Sequence, residues 1–428
     1  MIWRSLVVGC GLLVAALVPT TAAAPGNWPQ WRGPNRDGVS TEKGLLGAWP
    51  TGGPSLAWKT SGLGRGFSSV SVANGRVFSM GDRDKRQFVL AYSETDGKEL
   101  WAIPFASPTY DDAGIGPRGT PTVDGDLVFA LGSDGDLICV DAATGKERWR
   151  KSLPTDFGGR MMSSWRFSES PLVDGDRVMV TPGSFDAALV ALDKSTGKEL
   201  WRTTLPGILG PQGRDGAGYS SIVVSHGGGV KQYVQLIGRG LVGVRASDGK
   251  LLWHYNRVAN GVANISTPIV KDDFVFASTA YQTGAALLKL TKSADGVTAT
   301  EVYFLESTKL QNHHGGLVLV GDYVYGGHGH RQGFPFCLEM ATGKFMWGPN
   351  IRNAGMSSAA VVYADGRLYY RYENGKVILI EATPEAYREH GSFDIPDVRG
   401  PSWPHPVVAG GRLYLREQDN LFAYDVEK

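Results

Sequence analysis

Short stretches of alternating hydrophobic and polar residues recur along the chain, and tight turns separate them. Four stretches share one form, in which two apolar strands flank a short turn of Gly, Asp or Lys residues. They are TPTVDGDLVFA (120–130), SPLVDGDRVMV (170–180), TPIVKDDFVFA (267–277) and HPVVAGGRLYL (405–415). Alternation of this length, bounded by turn residues, is typical of β-hairpins. The pattern therefore predicts an all-β chain.

A second hairpin pattern carries a fixed set of residues. Five copies align without a gap: AYSETDGKELW (91–101), CVDAATGKERW (139–149), ALDKSTGKELW (191–201), GVRASDGKLLW (243–253) and CLEMATGKFMW (337–347). Each copy begins with a small residue and has Gly, Lys and Trp at its seventh, eighth and eleventh positions. The Gly allows the positive φ that such a turn requires. The two hairpins together predict a repeat of four short strands.

The spacing of the copies predicts their number. The interval before residue 337 is twice the usual one, which predicts a degraded copy around residues 288–290. A further degraded copy is predicted near 378–383, before the motif restarts at Ala423. Eight repeats of four strands predict a single eight-bladed β-propeller of four-stranded antiparallel blades over residues 55–428.

The two ends of the repeat region predict how the ring closes. The last copy stops at Val426, before its outer strand, whereas residues 55–58 (SLAW) form an isolated strand with a Trp in the repeat position. Pairing these two strands would remove a free sheet edge, which would otherwise invite aggregation. We therefore expect closure by the N-terminal strand. Residues 24–54 would form an N-terminal clasp, pinned to the ring by Trp28 and Trp31.

The first 23 residues have the features of a secretory signal peptide. Arg4 precedes an apolar run over residues 6–18, and small residues follow it. The run is too short to cross a bilayer, and no later stretch is apolar enough to do so. We expect cleavage near Ala22 to Ala24 and a periplasmic or secreted product. A lipoprotein is not expected, because little apolar sequence precedes Cys10.

Charge and cysteine content exclude several classes of protein. The chain has 43 Lys and Arg residues against 42 Asp and Glu residues, so it lacks the excess of positive charge that nucleic-acid binding requires. Only Cys139 and Cys337 follow the signal peptide, which excludes a disulfide framework. Both occupy the first repeat position, where other copies have Ala or Gly. We therefore interpret them as small packing residues.

The Ala-x-Asp-x-x-Thr-Gly-Lys-x-x-Trp hairpin resembles the tryptophan-docking motif of the PQQ-like repeat family. The segment NWPQWRGPNRDG (27–38) also resembles a leader found in PQQ-like propellers of planctomycetes. The family includes quinoprotein alcohol dehydrogenases and the outer-membrane assembly factor BamB, so the resemblance implies an eight-bladed ring. In the dehydrogenases, PQQ lies against a disulfide of two adjacent cysteines, beside a calcium ion. This chain has no adjacent cysteines and so lacks that signature. The sequence therefore leaves open whether PQQ is a cofactor.

Polar and aromatic residues lie on the loops that lead into the inner strands and on those that join the middle strands. A propeller brings both kinds of loop to one face, around the central channel. We therefore predict a binding funnel lined by ten residues: Arg118, Trp165, Arg166, Glu169, Tyr219, His313, His314, Trp403, His405 and Arg416. Such a funnel suits a small anionic or sugar-like ligand, or a segment of an envelope protein.

Five of the eight histidines fall on this face, which raises the alternative of a metal site. Neutral imidazole binds zinc, copper, nickel and iron, and His314, His328 and His330 are the candidate ligands. The favoured interpretation is that these histidines bond to the backbone. Adjacent side chains such as those of His313 and His314 point apart when the backbone is extended. No metal is therefore expected.

Two hypotheses about function follow. The first is a non-enzymatic binding or scaffold protein similar to BamB, monomeric and without affinity for nucleic acid, because repeats cover the whole mature chain. The alternative is an enzyme that uses the funnel, either a quinoprotein-type oxidoreductase or a carbohydrate-active hydrolase or lyase. It is motivated by the histidine, arginine and tryptophan residues on one face. No catalytic residue is assigned.

Overall fold

A computed structural model describes residues 26–109 and 114–428 of the chain, and the expected signal peptide, 1–23, lies outside the described residues. The described residues form eight four-stranded sheets, and every pairing between neighbouring strands is antiparallel. Inner strands of successive sheets contact each other, so the sheets stand as blades around a central channel. The prediction of an eight-bladed propeller is confirmed.

The strands of blades 1 to 4, from inner to outer, are β2 (Ser71–Ala73), β3 (Arg76–Arg83), β4 (Arg86–Ser93) and β5 (Glu99–Ala106); β6 (Thr122–Asp124), β7 (Leu127–Leu131), β8 (Asp136–Asp141) and β9 (Glu147–Ser152); β10 (Leu172–Asp174), β11 (Arg177–Val180), β12 (Val190–Asp193) and β13 (Glu199–Arg202); β14 (Val223–Ser225), β15 (Gln232–Ile237), β16 (Gly240–Arg245) and β17 (Leu251–Tyr255). Those of blades 5 to 8 are β18 (Ile269–Lys271), β19 (Phe274–Thr279), β20 (Gly284–Ser293) and β21 (Gly296–Glu306); β22 (Leu317–Val320), β23 (Tyr323–His328), β24 (Phe334–Glu339) and β25 (Lys344–Trp347); β26 (Ala359–Ala364), β27 (Arg367–Tyr372), β28 (Lys376–Glu381) and β29 (Glu389–Asp394); β30 (Val407–Ala409), β31 (Arg412–Glu417), β32 (Asn420–Asp425) and β1 (Ser55–Ser61). A short helix, α1 (Leu153–Phe157), and a 3-10 turn, Gly227–Gly229, are the helical elements of the described residues. None of their helices is long and apolar enough to cross a bilayer.

The hydrophobic core lies between neighbouring blades. One cluster joins Phe129 and Cys139 of blade 2 to Val178 and Val190 of blade 3, all of them inaccessible to solvent. Burial raises the pKa of the Cys139 thiol to about 12, so it stays protonated and unreactive. Cys337 is buried in the equivalent way in blade 6. Both cysteines are thus packing residues.

The repeat Trp of one blade lies against the repeat turn of the next blade. The indole N–H of Trp149 donates to the carbonyl of Lys194 at 2.9 Å, and a Cβ atom on Gly197 would lie 2.8 Å from the Trp149 ring. Gly197 also has φ of +69°. The Gly at the seventh repeat position is therefore required twice, for its backbone conformation and for the close approach of the ring.

The degraded copy in blade 5 keeps this contact with a different residue. Tyr303 stands on the outer strand, donates its hydroxyl to the carbonyl of Met340 at 2.7 Å and lies against Gly343 of blade 6. Tyr303 is half-buried, and its hydroxyl, like the N–H of a packed tryptophan, has a hydrogen-bond partner. The motif is therefore degraded in sequence but retained in packing.

The repeat tryptophans should differ in their contribution to stability. Trp149 is buried and its N–H is bonded, whereas Trp201 is half-buried and its Nε1 has no hydrogen-bond partner among the described residues. We expect Trp149→Ala to lower the free energy of unfolding by about 3–5 kcal/mol, as for other buried aromatic residues, and Trp201→Ala to lower it by clearly less. Urea denaturation of the two variants measures both values. Equal losses would contradict the argument.

The N-terminal strand closes the ring as predicted. β1 pairs antiparallel with β32 and becomes the outer strand of blade 8. Trp58 on β1 donates its N–H to the carbonyl of Glu94 at 3.1 Å and packs on Gly97 of blade 1. This is the contact that the repeat tryptophans make in other blades, so the junction copies the repeat geometry.

The segment before β1 lies inside the central channel. We call residues 26–45 the channel plug. Trp28 forms an antiparallel bridge with Val72 of blade 1, and Val39 forms a parallel bridge with Tyr363 of blade 7. Between these bridges, Trp31 donates its indole N–H to the hydroxyl of Thr267 in blade 5 at 3.1 Å. The sequence predicted a clasp pinned to the ring by tryptophans, and the structure shows in addition that the segment fills the channel.

Two buried arginines hold the plug to opposite sides of the ring. Arg36 donates to the carbonyl of Ser170 at 2.8 Å in blade 3, and Arg32 donates to the carbonyl of Leu317 in blade 6. Burial lowers the pKa of Arg32 to about 10 and that of Arg36 to about 9. Both therefore stay charged at neutral pH, and the carbonyl oxygens replace the water that burial removes.

Candidate functional site

Aromatic, imidazole and guanidinium groups converge at one end of the channel, above the tip of the plug. There the ring of Trp31 lies 4.4 Å from the ring of His405. We call the group around this point the funnel belt. It consists of Phe67, Arg118, Trp165, Tyr219, Tyr281, His313, His314, His330 and Trp403.

Half of the belt forms an unbroken series of ring contacts. The ring centroids of Phe67 and Trp403 are 4.4 Å apart, and those of Trp403 and His314 are 5.1 Å apart. His314 stacks on His313 at 3.9 Å, and His313 meets the edge of Tyr281 at 5.4 Å. These residues come from blades 1, 8, 6 and 5, which all present their loops to the same face.

The remaining contacts of the belt connect Tyr281 back to Phe67. Tyr281 lies 6.4 Å from Trp165, which in turn lies 6.0 Å from Tyr219. Arg118 donates to the carbonyl of Trp165 at 3.0 Å and places its guanidinium 5.7 Å from the centre of the Phe67 ring. The contacts therefore surround the channel axis, as the propeller geometry predicts for these loops.

The loop that carries His313 and His314 is bent by Asn312. The Asn312 side-chain oxygen accepts from the N–H of Gly315 at 2.6 Å, and its amide donates to the carbonyl of Gly327 at 2.9 Å. The expectation that the two histidine rings point apart is wrong, because it assumed an extended backbone. The bend instead stacks their planes within 23° of each other.

His313 is the more buried of the pair, and both its ring nitrogens are engaged. Nδ1 lies 2.7 Å from the Ser358 hydroxyl, and Nε2 lies 3.2 Å from the Tyr281 hydroxyl. Burial, together with the nearby His314 and His330 rings, lowers the pKa of His313 to about 2. The ring is thus neutral at physiological pH, and its one N–H and one lone pair face the two hydroxyl groups.

Glu373 of blade 7 lies beside the two stacked histidines. Its Oε1 lies 3.2 Å from Nδ1 of His314, and its Oε2 accepts from the Ser357 hydroxyl at 2.6 Å. Burial alone would raise the pKa of Glu373, but contacts with His314, Ser357 and Ser358 outweigh it and lower the pKa to about 2. Sequence reasoning missed this residue. Its position in a loop between middle strands, like that of Tyr281, was the available signal.

The sequence predicts no metal, with His314, His328 and His330 as the ligands of the alternative, whereas the structure brings together a different set of potential ligands. His313, His314 and Glu373 each offer a ligand atom, and these atoms lie within 4.8 Å of one another. His328 is not part of this group; its Nδ1 accepts from the N–H of Gln311 at 3.3 Å. The ring of His330 lies 4.3 Å from that of His313, beside the group.

Two further predicted residues lie away from the belt. Arg166 is exposed and pairs with Asp134 at 2.8 Å. Glu169 is buried and accepts from the backbone N–H of Thr181 at 2.7 Å and from the amide of Gln235 at 3.1 Å. Burial raises the pKa of Glu169 to about 7, and its bonds lie within the ring. Glu169 therefore joins blades 3 and 4 inside the ring and does not face the funnel.

His405 and Arg416 lie beneath the belt. His405 approaches the backbone carbonyl of His314 with Nε2 at 3.3 Å, and burial lowers its pKa to about 3, so the ring is neutral. Arg416 is buried and donates to the carbonyl of Gly64 at 3.1 Å, which joins blade 8 to blade 1. Of the ten predicted funnel residues, the structure thus brings six together and leaves Arg166, Glu169, His405 and Arg416 outside.

Comparison with known proteins places this architecture in a family. The family profile described as "Outer membrane protein assembly factor BamB" matches residues 38–164 and 85–349, well over half of the chain. The chain belongs to this PQQ-like propeller family.

Curated relatives of this PQQ-like propeller come from both branches of the family. BamB of Nitrosomonas eutropha is 29% identical over 139 residues (32% of this chain, 28% of the relative). BamB of Kangiella koreensis is 26% identical over 220 residues (51% and 49%), and the quinohemoprotein alcohol dehydrogenase ADH IIB of Pseudomonas putida is 25% identical over 224 residues (47% and 30%). The matching parts span less than half the length of each of these relatives.

Solved structures with the same fold also come from both branches. BamB from Moraxella catarrhalis superposes with a TM-score of 0.56 at 15% identity, over 81% of this chain and 95% of that one. Quinohemoprotein alcohol dehydrogenase from Comamonas testosteroni superposes with a TM-score of 0.63 at 14% identity, over 94% and 81%. Such low identities establish the shared fold, and function has to be argued from the site.

The described residues do not fit PQQ, the cofactor that the family implies. The only cysteines described, Cys139 and Cys337, are buried in different blades, so no pair of adjacent cysteines faces the channel. The plug fills the axis, and its buried arginines already donate to carbonyl groups, which leaves them unsuited to binding a planar tricarboxylate.

Proposed function

We propose that this chain is a binding and scaffold propeller of the cell envelope, similar in role to BamB, and that the funnel belt is its recognition surface. One observation carries the proposal. Loops of seven blades bring their rings and one guanidinium into a continuous series of contacts at the channel mouth. Packing of the blades requires the repeat tryptophans, whereas Trp165 and Trp403 stand on loops outside the repeat.

The chemistry of the belt defines the kind of ligand. Trp165, Tyr281 and Trp403 are half-buried and offer flat apolar surfaces, while Arg118 and His314 offer polar groups beside them. Aromatic and arginine side chains in this combination dominate recognition surfaces. A sugar ring, or an extended envelope-protein segment with ring-shaped side chains, matches this pattern. We further propose export through the signal peptide over residues 1–23, and action as a monomer.

Replacing the two loop tryptophans should abolish recognition and leave the fold intact. We expect Trp165→Ala/Trp403→Ala to weaken binding by at least about 30-fold, the effect of losing an interface hot spot of about 2 kcal/mol. The melting temperature should change little, because both residues are half-buried. The assay compares immobilised native and variant chains in quantitative capture from the envelope fraction, and a saccharide panel is titrated in solution by tryptophan fluorescence.

Trp201→Ala is the matched control for this experiment. It also removes a half-buried tryptophan, but on β13, at the outer edge of blade 3. Binding by this variant should equal that of the native chain at a temperature where both are folded. Native-like binding by the double variant would exclude the funnel belt and favour an outer-edge scaffold surface.

A carbohydrate-active enzyme is the second candidate. The contact of 3.2 Å between Nδ1 of His314 and Oε1 of Glu373 favours it, since a carboxylate in this position orients an imidazole that acts as a general base. The two candidates differ in turnover. New reducing ends or unsaturated products from a bound saccharide, formed by the native chain and not by His314→Gln, would establish the enzyme. Binding without products would establish the scaffold.

A further inference from the structure

We infer that His313, His314 and Glu373 form a binding site for a divalent transition-metal ion of the zinc class at the channel mouth. The inference does not rest on the proposed function, since an ion can bind here whichever ligand the belt recognises. The three side chains come from two blades and offer ligand atoms within 4.8 Å of one another. Among the described residues, these three form a group of potential ligands close enough to hold one ion.

The spacing within the group suits one ion. Nδ1 of His314 lies 3.2 Å from Oε1 of Glu373. Two ligands of a tetrahedral zinc ion, at bond lengths of about 2.0–2.1 Å, are about 3.3–3.4 Å apart. The pair thus already has the separation of two ligands on one ion. A nitrogen of His313 lies within 4.8 Å of both atoms, and as the third ligand it would exchange its contact with a hydroxyl group for the ion.

The surroundings hold these side chains in place from behind. The Ser357 hydroxyl donates to Oε2 of Glu373 at 2.6 Å, which leaves Oε1 facing the histidines. The Ser358 hydroxyl lies 2.7 Å from one nitrogen of His313 and fixes the orientation of that ring. Hydrogen bonds of this kind orient metal ligands and raise affinity in known sites. Asn312 adds rigidity by bending the histidine loop.

A second observation points to a cation independently of the spacing. His330 Nδ1 is a buried polar atom without a hydrogen-bond partner among the described residues, whereas Oε1 of Glu373 has its contact with His314. Buried polar atoms without a partner are rare in folded proteins, and each one calls for an explanation. This nitrogen adjoins the proposed ligands, since the His330 ring lies 4.3 Å from the His313 ring. A water molecule bound to an ion in the group would give His330 Nδ1 a hydrogen-bond partner.

The donor set selects the class of ion. Two imidazoles and one carboxylate with open positions are the ligands of catalytic zinc and of related transition metals. Calcium and magnesium prefer oxygen ligands, which only Glu373 supplies here. We therefore expect zinc to bind and calcium not to compete with it at equal concentration.

The decisive experiment measures zinc on the untagged chain. The protein is stripped with a chelator, dialysed and titrated with zinc chloride by calorimetry, and zinc per chain is measured after desalting. We expect about one ion per chain, and at least about tenfold weaker binding for Glu373→Gln and for His313→Ala, the smallest loss typical of a disturbed metal site. Since the stoichiometry of the native chain needs no variant, the test holds even if a variant fails to fold.

The chain offers a matched control elsewhere on blade 7. His390 and Glu381 form a histidine–carboxylate pair with the same separation of 3.2 Å, and they do not belong to the three-ligand group. Glu381→Gln should therefore bind zinc as the native chain does. Less than about 0.1 ion on the native chain, or equal loss of zinc from Glu381→Gln and Glu373→Gln, would overturn the inference.

Discussion

A chain that lacks residues 26–61 is expected to aggregate instead of folding to a soluble protein. The deletion removes β1, which leaves β32 as an unpaired strand at the edge of blade 8. Exposed edges of this kind pair with other chains. It also removes Trp28 and Trp58 from the largest hydrophobic cluster and opens the channel that the plug fills. Size-exclusion chromatography and thermal melting of the truncated chain measure the outcome.

A shorter deletion separates the two roles of this segment. Removing only residues 26–45 takes away the plug and keeps β1, so the ring can still close. We expect this variant to be soluble but to melt at a lower temperature, because the carbonyl groups that Arg32 and Arg36 satisfy would lose their partners. If the longer deletion melts like the native chain, closure by the N-terminal strand does not stabilise the ring.

Breaking the buried ion pair between Arg371 and Glu417 should be the most destabilising single change of a charged residue. The guanidinium and the carboxylate are 2.8 Å apart, with side-chain exposures of 0% and 1%. Burial lowers the pKa of Arg371 to about 10, so it stays charged at neutral pH. Glu417→Gln would leave that charge uncompensated, and such changes cost about 3–5 kcal/mol.

A double-mutant cycle tests this prediction by urea denaturation. Arg371→Met removes the other charge, and the combination with Glu417→Gln leaves no isolated ion inside the protein. The double variant should therefore be more stable than the sum of the two single losses predicts. Additive losses would show that the two groups stabilise the ring separately. The pair links blade 7 to blade 8, close to the loop that carries Trp403.

The blades could be predicted from the sequence because their determinants are local. Gly197 has the positive φ that its hairpin turn requires. Each clear repeat has a Trp at the position that Trp149 occupies in blade 2. Alternation, turns and spacing then define strands and their number. Closure was predictable for the same reason, since the strand at residues 55–58 carries the repeat Trp without the rest of the repeat.

The candidate site was predictable only in part. The loops that face the channel follow from the repeat, so Trp165, His314 and Trp403 could be assigned to one face. Whether a loop residue points outward or is buried depends on its neighbours in space. Glu169 and Arg416 are buried because Gln235 and the carbonyl of Gly64 happen to face them from other blades. A single sequence contains no signal for such partners.

By itself, the sequence determined the fold of this protein, its eight blades, the strand that closes them and the face on which polar and aromatic loops gather. These follow from backbone conformation and periodic burial, which act over a few residues. Only the tertiary structure decided that the plug fills the channel and that Glu373 meets His314. The plug is held through backbone carbonyls, which every residue possesses, and Glu373 is brought to the histidines by the packing of blade 7 against blade 6. Contacts of that kind depend on distance in space, which the linear pattern does not encode.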